Sequence, residues 1–119
     1  RLAGFSGSAA RQRALGLLDE MGLQALAHKR PAMLSGGEAQ RVSLCRALIN
    51  APAMVLADEP IASLDNANSD DVVAILGDIA KSRNAAVLVV THDMRIKRIA
   101  DEVLWLEDGK LVGGGTDAL

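Results

Sequence analysis

Two short apolar segments, in which apolar and polar residues do not alternate, constrain the fold of this chain most. The first is Met54–Ala57 and the second is Ala86–Val90. Segments of this kind are typical of strands that are buried on both faces in a parallel sheet. Because stretches with helical spacing of apolar residues alternate with them, the sequence predicts an α/β domain with a parallel sheet and flanking helices.

Local signals mark the ends of the predicted helices. Ser8 is expected to cap the first helix, and Gly22 is expected to end it. The second helix is predicted to run from about Gly37 to Ile49, after which an asparagine and a proline follow. The third helix is predicted to begin at Asp65 or Asn66, because both side chains suit a helix N-terminus.

The C-terminal part of the chain is predicted to form a short helix and an antiparallel hairpin. Asp93 is placed to cap a brief helix that reaches Ala100. Val103–Leu106 and Lys110–Val112 flank Asp108-Gly109, which is the strongest short hairpin signal in the sequence. We expect this hairpin to lie at the edge of the fold.

Composition narrows the range of partners and compartments. The formal net charge is -2, so no strong overall field favours nucleic acid or anionic lipid, and no nucleic-acid partner is expected. The single cysteine, Cys45, excludes an internal disulfide and fits a reducing compartment. No apolar stretch of the sequence approaches the roughly 20 residues that a membrane-spanning helix needs.

A serine and two glycines precede the second helix, within the segment Leu34–Arg41. Ser35, Gly36 and Gly37 would leave backbone N–H groups free at the positive end of the helix dipole, and the serine hydroxyl would add a donor. This pattern indicates an anion-binding turn. The alternative is an ordinary capping box, since Ser35 and Glu38 have the spacing of one.

Two carboxylates follow the first apolar segment. Asp58 and Glu59 would therefore lie at the carboxyl edge of the sheet, where ligands bind in open α/β folds. Asp58 could hold Mg²⁺, and Glu59 could orient and deprotonate an attacking water. The alternative is a solvated acidic pair at the end of a strand.

The second apolar segment also ends in polar residues. His92 would lie at the same sheet edge as Glu59, where an imidazole can hydrogen-bond a phosphate oxygen or an attacking water. The alternative is a helix-entry residue with Asp93 as the cap. The turn Ser63–Asp65 also has a purely structural interpretation, in which Asp65 only caps the third helix.

In their order along the chain, four motifs resemble those of the ATP-binding cassette (ABC) ATPases, and the resemblance covers nearly the whole chain. Leu34–Arg41 resembles the signature motif and Met54–Glu59 resembles Walker B. Ser63–Asp65 resembles the D-loop, and His92 resembles the switch histidine. The segment Leu56–Pro60 is also similar to the transporter ATPases of lipoprotein release and macrolide export.

The resemblance implies a site and a set of partners. ATP and Mg²⁺ are the implied cofactors, with Glu59 and His92 as catalytic residues and Asp58 as the metal ligand. Domains of this family work as head-to-tail dimers, so the signature motif would act on the ATP of a second ATPase subunit. Transmembrane transporter subunits are the other implied partners, and the implied location is cytoplasmic, at the membrane periphery. The implied nucleotide-binding residues of the signature motif and the D-loop are Ser35, Gly36, Gly37, Glu38 and Asp65.

The resemblance also implies a partial P-loop NTPase (RecA-like) fold in two parts. Residues 1–52 would be a portion of the ABC helical subdomain that ends in the signature helix. Residues 53–119 would be the C-terminal part of the RecA-like ATPase core, with the hairpin at its end.

The sequence contains no phosphate-binding loop of the form G-x-x-x-x-G-K-[ST]. Gly113–Thr116 is rich in glycine but has no lysine and no following helix. In the family this Walker A segment precedes the helical region, so we expect these residues to be the C-terminal part of a longer domain. Alone, they are expected to bind nucleotide weakly and to hydrolyse little or no ATP.

The missing segment also bears on the sheet. In the family, the Walker A strand lies between the switch-histidine strand and the strand that follows. We therefore expect Ala86–Val90 and Val103–Leu106 to pair directly, to pair with another chain, or to be poorly ordered.

Two other functions are compatible with the motifs. The chain could be a non-catalytic interaction module that contributes its signature motif to the ATP site of a partner. It could also come from a DNA-repair or chromosome-structure ATPase, but the absence of a heptad array and a basic patch from the sequence disfavours that class. A transporter ATPase subunit is therefore the principal hypothesis, and the interaction module is the alternative.

Overall fold

A computed structural model describes residues 6–115 of the chain. Within this range, the helices and strands alternate as the sequence predicts. Short 3-10 helices lie at Gln24–Leu26, Pro31–Met33 and Met94–Ile99. The main elements are α1 (Gly7–Glu20), α2 (Gly36–Leu48), β1 (Met54–Asp58), α3 (Asn66–Ser82), β2 (Ala86–Val90), β3 (Val103–Glu107) and β4 (Lys110–Gly115).

The helices in residues 6–115 are all too short or too polar to cross a membrane.

The cap of α1 differs from the sequence prediction. Ser6 caps this helix, because its hydroxyl accepts a hydrogen bond from the backbone N–H of Ala9. Ser8 lies inside the first turn, so the prediction of Ser8 as the cap was wrong by two residues. The predicted stop is confirmed: Gly22 has a φ of +69°, and the next N–H, that of Leu23, donates to the carbonyl of Leu18 at 2.7 Å.

The caps of α2 and α3 are those that the sequence predicts. Ser35 Oγ accepts from the backbone N–H of Glu38 at 3.2 Å, and Glu38 Oε2 accepts from the backbone N–H of Ser35 at 2.9 Å. These two bonds form a complete capping box at the start of α2. At α3, Asp65 Oδ1 accepts from the backbone N–H of Asn68 at 2.8 Å.

Strands β1 and β2 pair in parallel, from Met54 opposite Ala86 to Asp58 opposite Val90. Only one face of this sheet is covered within residues 6–115, so the prediction of two buried faces was wrong for the described chain. Val55 is 4% exposed, whereas its neighbour Leu56 is 70% exposed. The physical reason is that the helices of residues 6–115 pack against one face alone. We call the other face the open face; its large apolar side chains are Met54, Leu56, Leu88 and Val90.

The C-terminal hairpin is confirmed. β3 and β4 pair antiparallel around Asp108 and Gly109, whose φ values of +46° and +75° match a two-residue type I′ turn. Within the described residues, β1 with β2 and β3 with β4 form separate sheets. Direct pairing of β2 with β3, one of the expected outcomes, is therefore not what residues 6–115 adopt.

One aliphatic core lies between the helices and the covered face of the β1–β2 sheet. Both sides of the proposed boundary at residues 52 and 53 contribute to it. The division into residues 1–52 and 53–119 stays a prediction, although a single core joins the two parts. The core residues that are less than 3% exposed are Leu23, Leu48, Ile61, Val72, Leu76 and Ile79.

Candidate functional site

The carboxyl ends of β1 and β2 bring the predicted hydrolytic residues together. Asp58 ends β1 and is exposed, and Glu59 follows it with a φ of +45°. The backbone N–H of Glu59 donates to the carbonyl of Val90, the last residue of β2, at 2.8 Å. This bond extends the parallel ladder by one step, so Glu59 lies beside the residues that follow β2.

Each oxygen of the Glu59 carboxylate has a different partner. His92 Nδ1 lies 2.8 Å from Oε1, and Thr91 Oγ1 donates to Oε2 at 3.0 Å. The hydrogen bond with His92 is the main cause of a lowered pKa at Glu59, and the bond from Thr91 lowers it further. The hydrogen bond and the charge of Glu59 raise the pKa of His92. The arrangement therefore favours an ionised carboxylate next to a protonated imidazole.

The segment after His92 is held by a second ion pair. Asp93 caps the 3-10 helix Met94–Ile99, and Arg95 Nη2 donates to its Oδ2 at 2.6 Å. The hydrogen bonds from Arg95 are the main cause of the lowered pKa of Asp93, which is about 2. Arg95 Nη1 also donates to Asn66 Oδ1 at 3.3 Å. The residues next to His92 are thereby tied to the first turn of α3.

We call the turn formed by Ser35, Gly36 and Gly37 the signature turn. It packs tightly on the same first turn of α3. A Cβ atom at Gly37 would lie 2.1 Å from Asn68 Oδ1 and 2.9 Å from Asn68 Cβ, so only glycine fits without a shift. Asn68 Nδ2 in turn donates to both oxygens of Asp65 at 3.0 Å. Asn68 thus links the signature turn to the D-loop. Ser35 and Gly36 stay exposed at the start of α2.

A hydrogen bond connects α2 with the segment that carries Glu59. Gln40 Nε2, from α2, donates to the carbonyl of Pro60 at 2.7 Å. Pro60 follows Glu59 directly, so this bond attaches α2 to the residue next to Glu59.

The structure separates the predicted site residues into two groups. Glu59 and His92 lie at the same sheet edge, as the sequence predicts, and their side chains are in direct contact. The side chains of Glu38 and Asp65 both accept hydrogen bonds at helix N-termini, which is the structural role considered for each of them. A role for either carboxylate at a nucleotide stays a prediction.

Three residues that the sequence analysis did not single out contribute to this geometry: Thr91, Asn68 and Gln40. Gln40 lies inside the quoted segment Leu34–Arg41 and Thr91 directly precedes His92, so their positions were a usable signal. Asn68 carries no such signal, because its importance follows from the approach of Gly37, which depends on how α2 crosses α3.

Comparison with known proteins agrees with these motifs. Residues 4–62 match the family model described as ABC transporter. The chain is 47% identical over 110 residues to the macrolide export ATP-binding/permease protein MacB of Pectobacterium atrosepticum, covering 92% of this chain and 17% of that protein. It is 44% identical over 111 residues to the lipoprotein-releasing system ATP-binding protein LolD of Hyphomonas neptunium, covering 93% of this chain and 49% of that protein. The chain therefore spans about half the length of LolD.

The fold agrees with a solved relative as well. A dimeric structure of an ATP-binding cassette, in a post-hydrolysis state bound to ADP and Pi, superposes with a TM-score of 0.82 at 34% identity. The match covers 97% of this chain and 50% of that one. The described α/β architecture is thus part of a P-loop NTPase domain. Together with the four ordered motifs, these similarities place the chain in the ATP-binding cassette (ABC) transporter family.

Proposed function

We propose that this chain supplies the signature and hydrolytic parts of an ATPase subunit that couples ATP binding and hydrolysis to transport across a membrane. The observation that carries the proposal is the Glu59 carboxylate at the sheet edge, held between His92 and Thr91. The names of MacB and LolD support a link to transport. The transported substrate would be chosen mainly by the membrane subunits.

In this proposal, Glu59 orients a water for attack on the terminal phosphate and accepts its proton. An ionised carboxylate is needed for that role, and the lowered pKa of Glu59 keeps it ionised. His92, whose side chain is 86% exposed, would turn from Glu59 to donate a hydrogen bond to a phosphate oxygen. The raised pKa of His92 favours the protonated form that can donate from both ring nitrogens.

The exposed carboxylate of Asp58 fits a Mg²⁺ ion that would be bound together with ATP. Within residues 6–115, no group of three or more His, Cys, Asp and Glu side chains is arranged to hold a metal ion by itself. Mg²⁺ in nucleotide sites is commonly bound by one or two carboxylates together with phosphate oxygens and water, so one exposed carboxylate suffices. We assign that ligand to Asp58. Bound there, Mg²⁺ would neutralise charge on the phosphates.

The signature turn is proposed to act on the nucleotide of a second ATPase subunit in a head-to-tail dimer. The exposed Ser35 and Gly36, with the N-terminus of α2, offer a hydroxyl and backbone N–H groups to phosphate oxygens. The solved relative bound to ADP and Pi is a dimer, which supports this arrangement. Transmembrane transporter subunits would be the other partners, and the subunit would lie on the cytoplasmic side of the membrane.

The test is ATP hydrolysis by the protein expressed from its own gene, with and without Glu59→Gln. We expect Mg²⁺-dependent hydrolysis that this substitution lowers at least about 100-fold, because the amide cannot accept the proton. Asp78→Asn is the matched control, since it removes an exposed carboxylate on α3. Equal activity of the wild type and Glu59→Gln would overturn the assignment. A polypeptide of these 119 residues alone should show little turnover.

The complete capping box and the exposed Ser35 and Gly36 of the signature turn also favour a second candidate, a non-catalytic interaction module. In that role, the chain would complete the ATP site of another ATPase subunit without hydrolysing ATP itself. Adding the 119-residue chain to a complete family ATPase should then change that enzyme's rate, and Ser35→Arg should abolish the effect. An unchanged rate after mixing would exclude this candidate.

A further inference from the structure

We propose that Thr91 is a positioning residue, whose hydroxyl holds the Glu59 carboxylate in place while His92 leaves it to contact a phosphate oxygen. This inference rests on the proposed ATPase function. It assigns Thr91 a task that is separate from the chemistry of Glu59 and His92.

The direction of the Thr91 hydroxyl is fixed by two hydrogen bonds. The backbone N–H of Asp93 donates to Thr91 Oγ1 at 3.0 Å, and Thr91 Oγ1 donates to Glu59 Oε2 at 3.0 Å. A hydroxyl has one proton, so an N–H on one lone pair leaves that proton for the carboxylate. The carboxylate oxygen Oε2 of Glu59 can only accept a hydrogen bond, so the Thr91 hydroxyl must be the donor in this contact.

The frame that carries the hydroxyl is itself held by hydrogen bonds. Thr91 follows Val90, whose carbonyl accepts from the backbone N–H of Glu59 at 2.8 Å. Asp93, which orients the hydroxyl, has its own carboxylate fixed by Arg95. Backbone and side-chain bonds therefore place Thr91 and Glu59 side by side, independently of the ring of His92.

The two partners of Glu59 differ in how easily they can leave. The His92 side chain is 86% exposed, whereas Thr91 is half-buried at the strand end. When His92 turns toward a phosphate, Oε1 loses its partner and Oε2 keeps the Thr91 hydroxyl. One held oxygen leaves the other free to face the attacking water, which is the geometry that a general base requires.

Steady-state ATP hydrolysis by the protein expressed from its own gene tests the inference. Thr91→Val keeps the shape and loses the hydroxyl, and Thr91→Ser keeps the hydroxyl. We expect Thr91→Val to lower kcat about tenfold, the scale of a lost hydrogen bond to a charged group, with the KM for ATP changed less than about twofold. Thr91→Ser should retain about half of the wild-type kcat. Ser82→Ala, which removes a hydroxyl bonded to a helix carbonyl far from the site, is the matched control.

Two results would overturn the inference. One is a Thr91→Val kcat within about twofold of the wild type, and the other is a Thr91→Ser enzyme as slow as Thr91→Val. If Thr91→Val does not fold, Thr91→Ala takes its place, because it lacks the hydroxyl and adds no bulk. The same tenfold loss in kcat is expected for it.

A stability cycle separates this inference from the proposed function. Thr91→Val, Glu59→Ala and the double variant are compared by the temperature midpoint of unfolding. If the hydroxyl acts through the carboxylate, Thr91→Val lowers the midpoint more in the wild type than in Glu59→Ala, where only its bond from the Asp93 N–H remains to be lost. Equal losses in both backgrounds would refute the contact. A clear coupling in a protein without ATPase activity would refute the proposed function and leave the contact supported.

Discussion

Glu59 adopts a backbone conformation that residues other than glycine rarely take, with a φ of +45°. Such a conformation costs on the order of 1–3 kcal/mol and persists only where its surroundings enforce it. Here the enforcement comes from the backbone bond to Val90 and from the bonds of the side chain to His92 and Thr91. The carboxylate is thus placed by its neighbours rather than by its own preference.

The contact of Glu59 with His92 predicts a defined pH response. The pKa of His92 is raised above 6.5, so the contact adds stability that is full below about pH 6.5 and is lost as pH rises through the raised pKa. The pKa of Glu59 is lowered below 4.5, so the stability that its ionised carboxylate contributes is lost as pH falls through that lowered pKa. NMR titration of the His92 ring should give a pKa above 6.5, and Glu59→Gln should bring it down. Glu38→Gln serves as the control. A His92 pKa that is unchanged by Glu59→Gln would contradict the contact.

The approach of α2 to α3 predicts opposite outcomes for two adjacent glycines. Gly37→Ala would push a methyl group into Asn68 and should cost about 1–3 kcal/mol in the free energy of unfolding. Gly36→Ala meets only Leu64 Cδ2, at 3.7 Å, and should be neutral or slightly stabilising. Urea unfolding measures the free energy of unfolding of the wild type, the two single variants and the double variant Gly37→Ala with Asn68→Ala. Equal stabilities of the two single variants would contradict the tight packing at Gly37.

At the scale of elements, apolar runs and cap residues predicted where the helices and strands lie, because those signals are local. Gly22, Ser35, Asp65 and the turn at Asp108-Gly109 all act as predicted. The burial of the strand faces could not be predicted in the same way, because burial depends on which elements pack against each face. The run Met54–Ala57 is equally apolar on both faces, although residues 6–115 cover only one.

The outer edge of β2 has a definite pattern of free amides. Ala86 donates its N–H to the carbonyl of Ala53, and Val90 accepts at its carbonyl from Glu59. Because backbone groups of a parallel strand alternate between its two edges, the residues at positions 86, 88 and 90 face β1. The residues at positions 87 and 89 therefore direct their amides to the edge that no other strand of residues 6–115 covers.

Hydrogen exchange of the 119-residue chain in dilute solution tests this pattern. The amides of Val87 and Val89 should exchange at least about tenfold faster than those of Leu88 and Val90, because they lack a partner on the sheet. The comparison is internal, since all four amides belong to one strand. Equal protection of the four amides would mean that another strand lies on this edge.

At the scale of the whole molecule, the core is one-sided. The helices cover a single face of the β1–β2 sheet, and the open face carries a row of large apolar side chains. The stability of residues 6–115 should therefore depend on Val55, which faces the core, far more than on Leu56, which follows it on the open face.

This difference can be measured with two alanine variants of the 119-residue chain. Val55→Ala removes buried methyl groups and should lower the free energy of unfolding by about 2 kcal/mol. Leu56→Ala removes more atoms but should change it by less than about 0.5 kcal/mol, because its side chain is 70% exposed. Urea unfolding measures both, and a comparable loss at Leu56 would mean that the open face is covered in solution.

The juxtaposition of Glu59 with His92 was predictable from sequence, since parallel strands place their carboxyl ends at one edge. The supporting contacts of Thr91, Asn68 and Gln40 were not, because each depends on angles between elements that no local pattern encodes. Sequence therefore predicted which groups meet at this edge, and the structure identified the groups that hold them.

The bond from Gln40 to the carbonyl of Pro60 gives the signature helix a fixed point of attachment on the segment that carries Glu59. In the proposed head-to-tail dimer, the signature turn would respond to one bound nucleotide while Glu59 would act on the other. A tilt of α2 then either displaces Pro60 or breaks this bond. In each subunit, Gln40 would thus couple movement of the signature turn at one nucleotide to the position of Glu59 at the other.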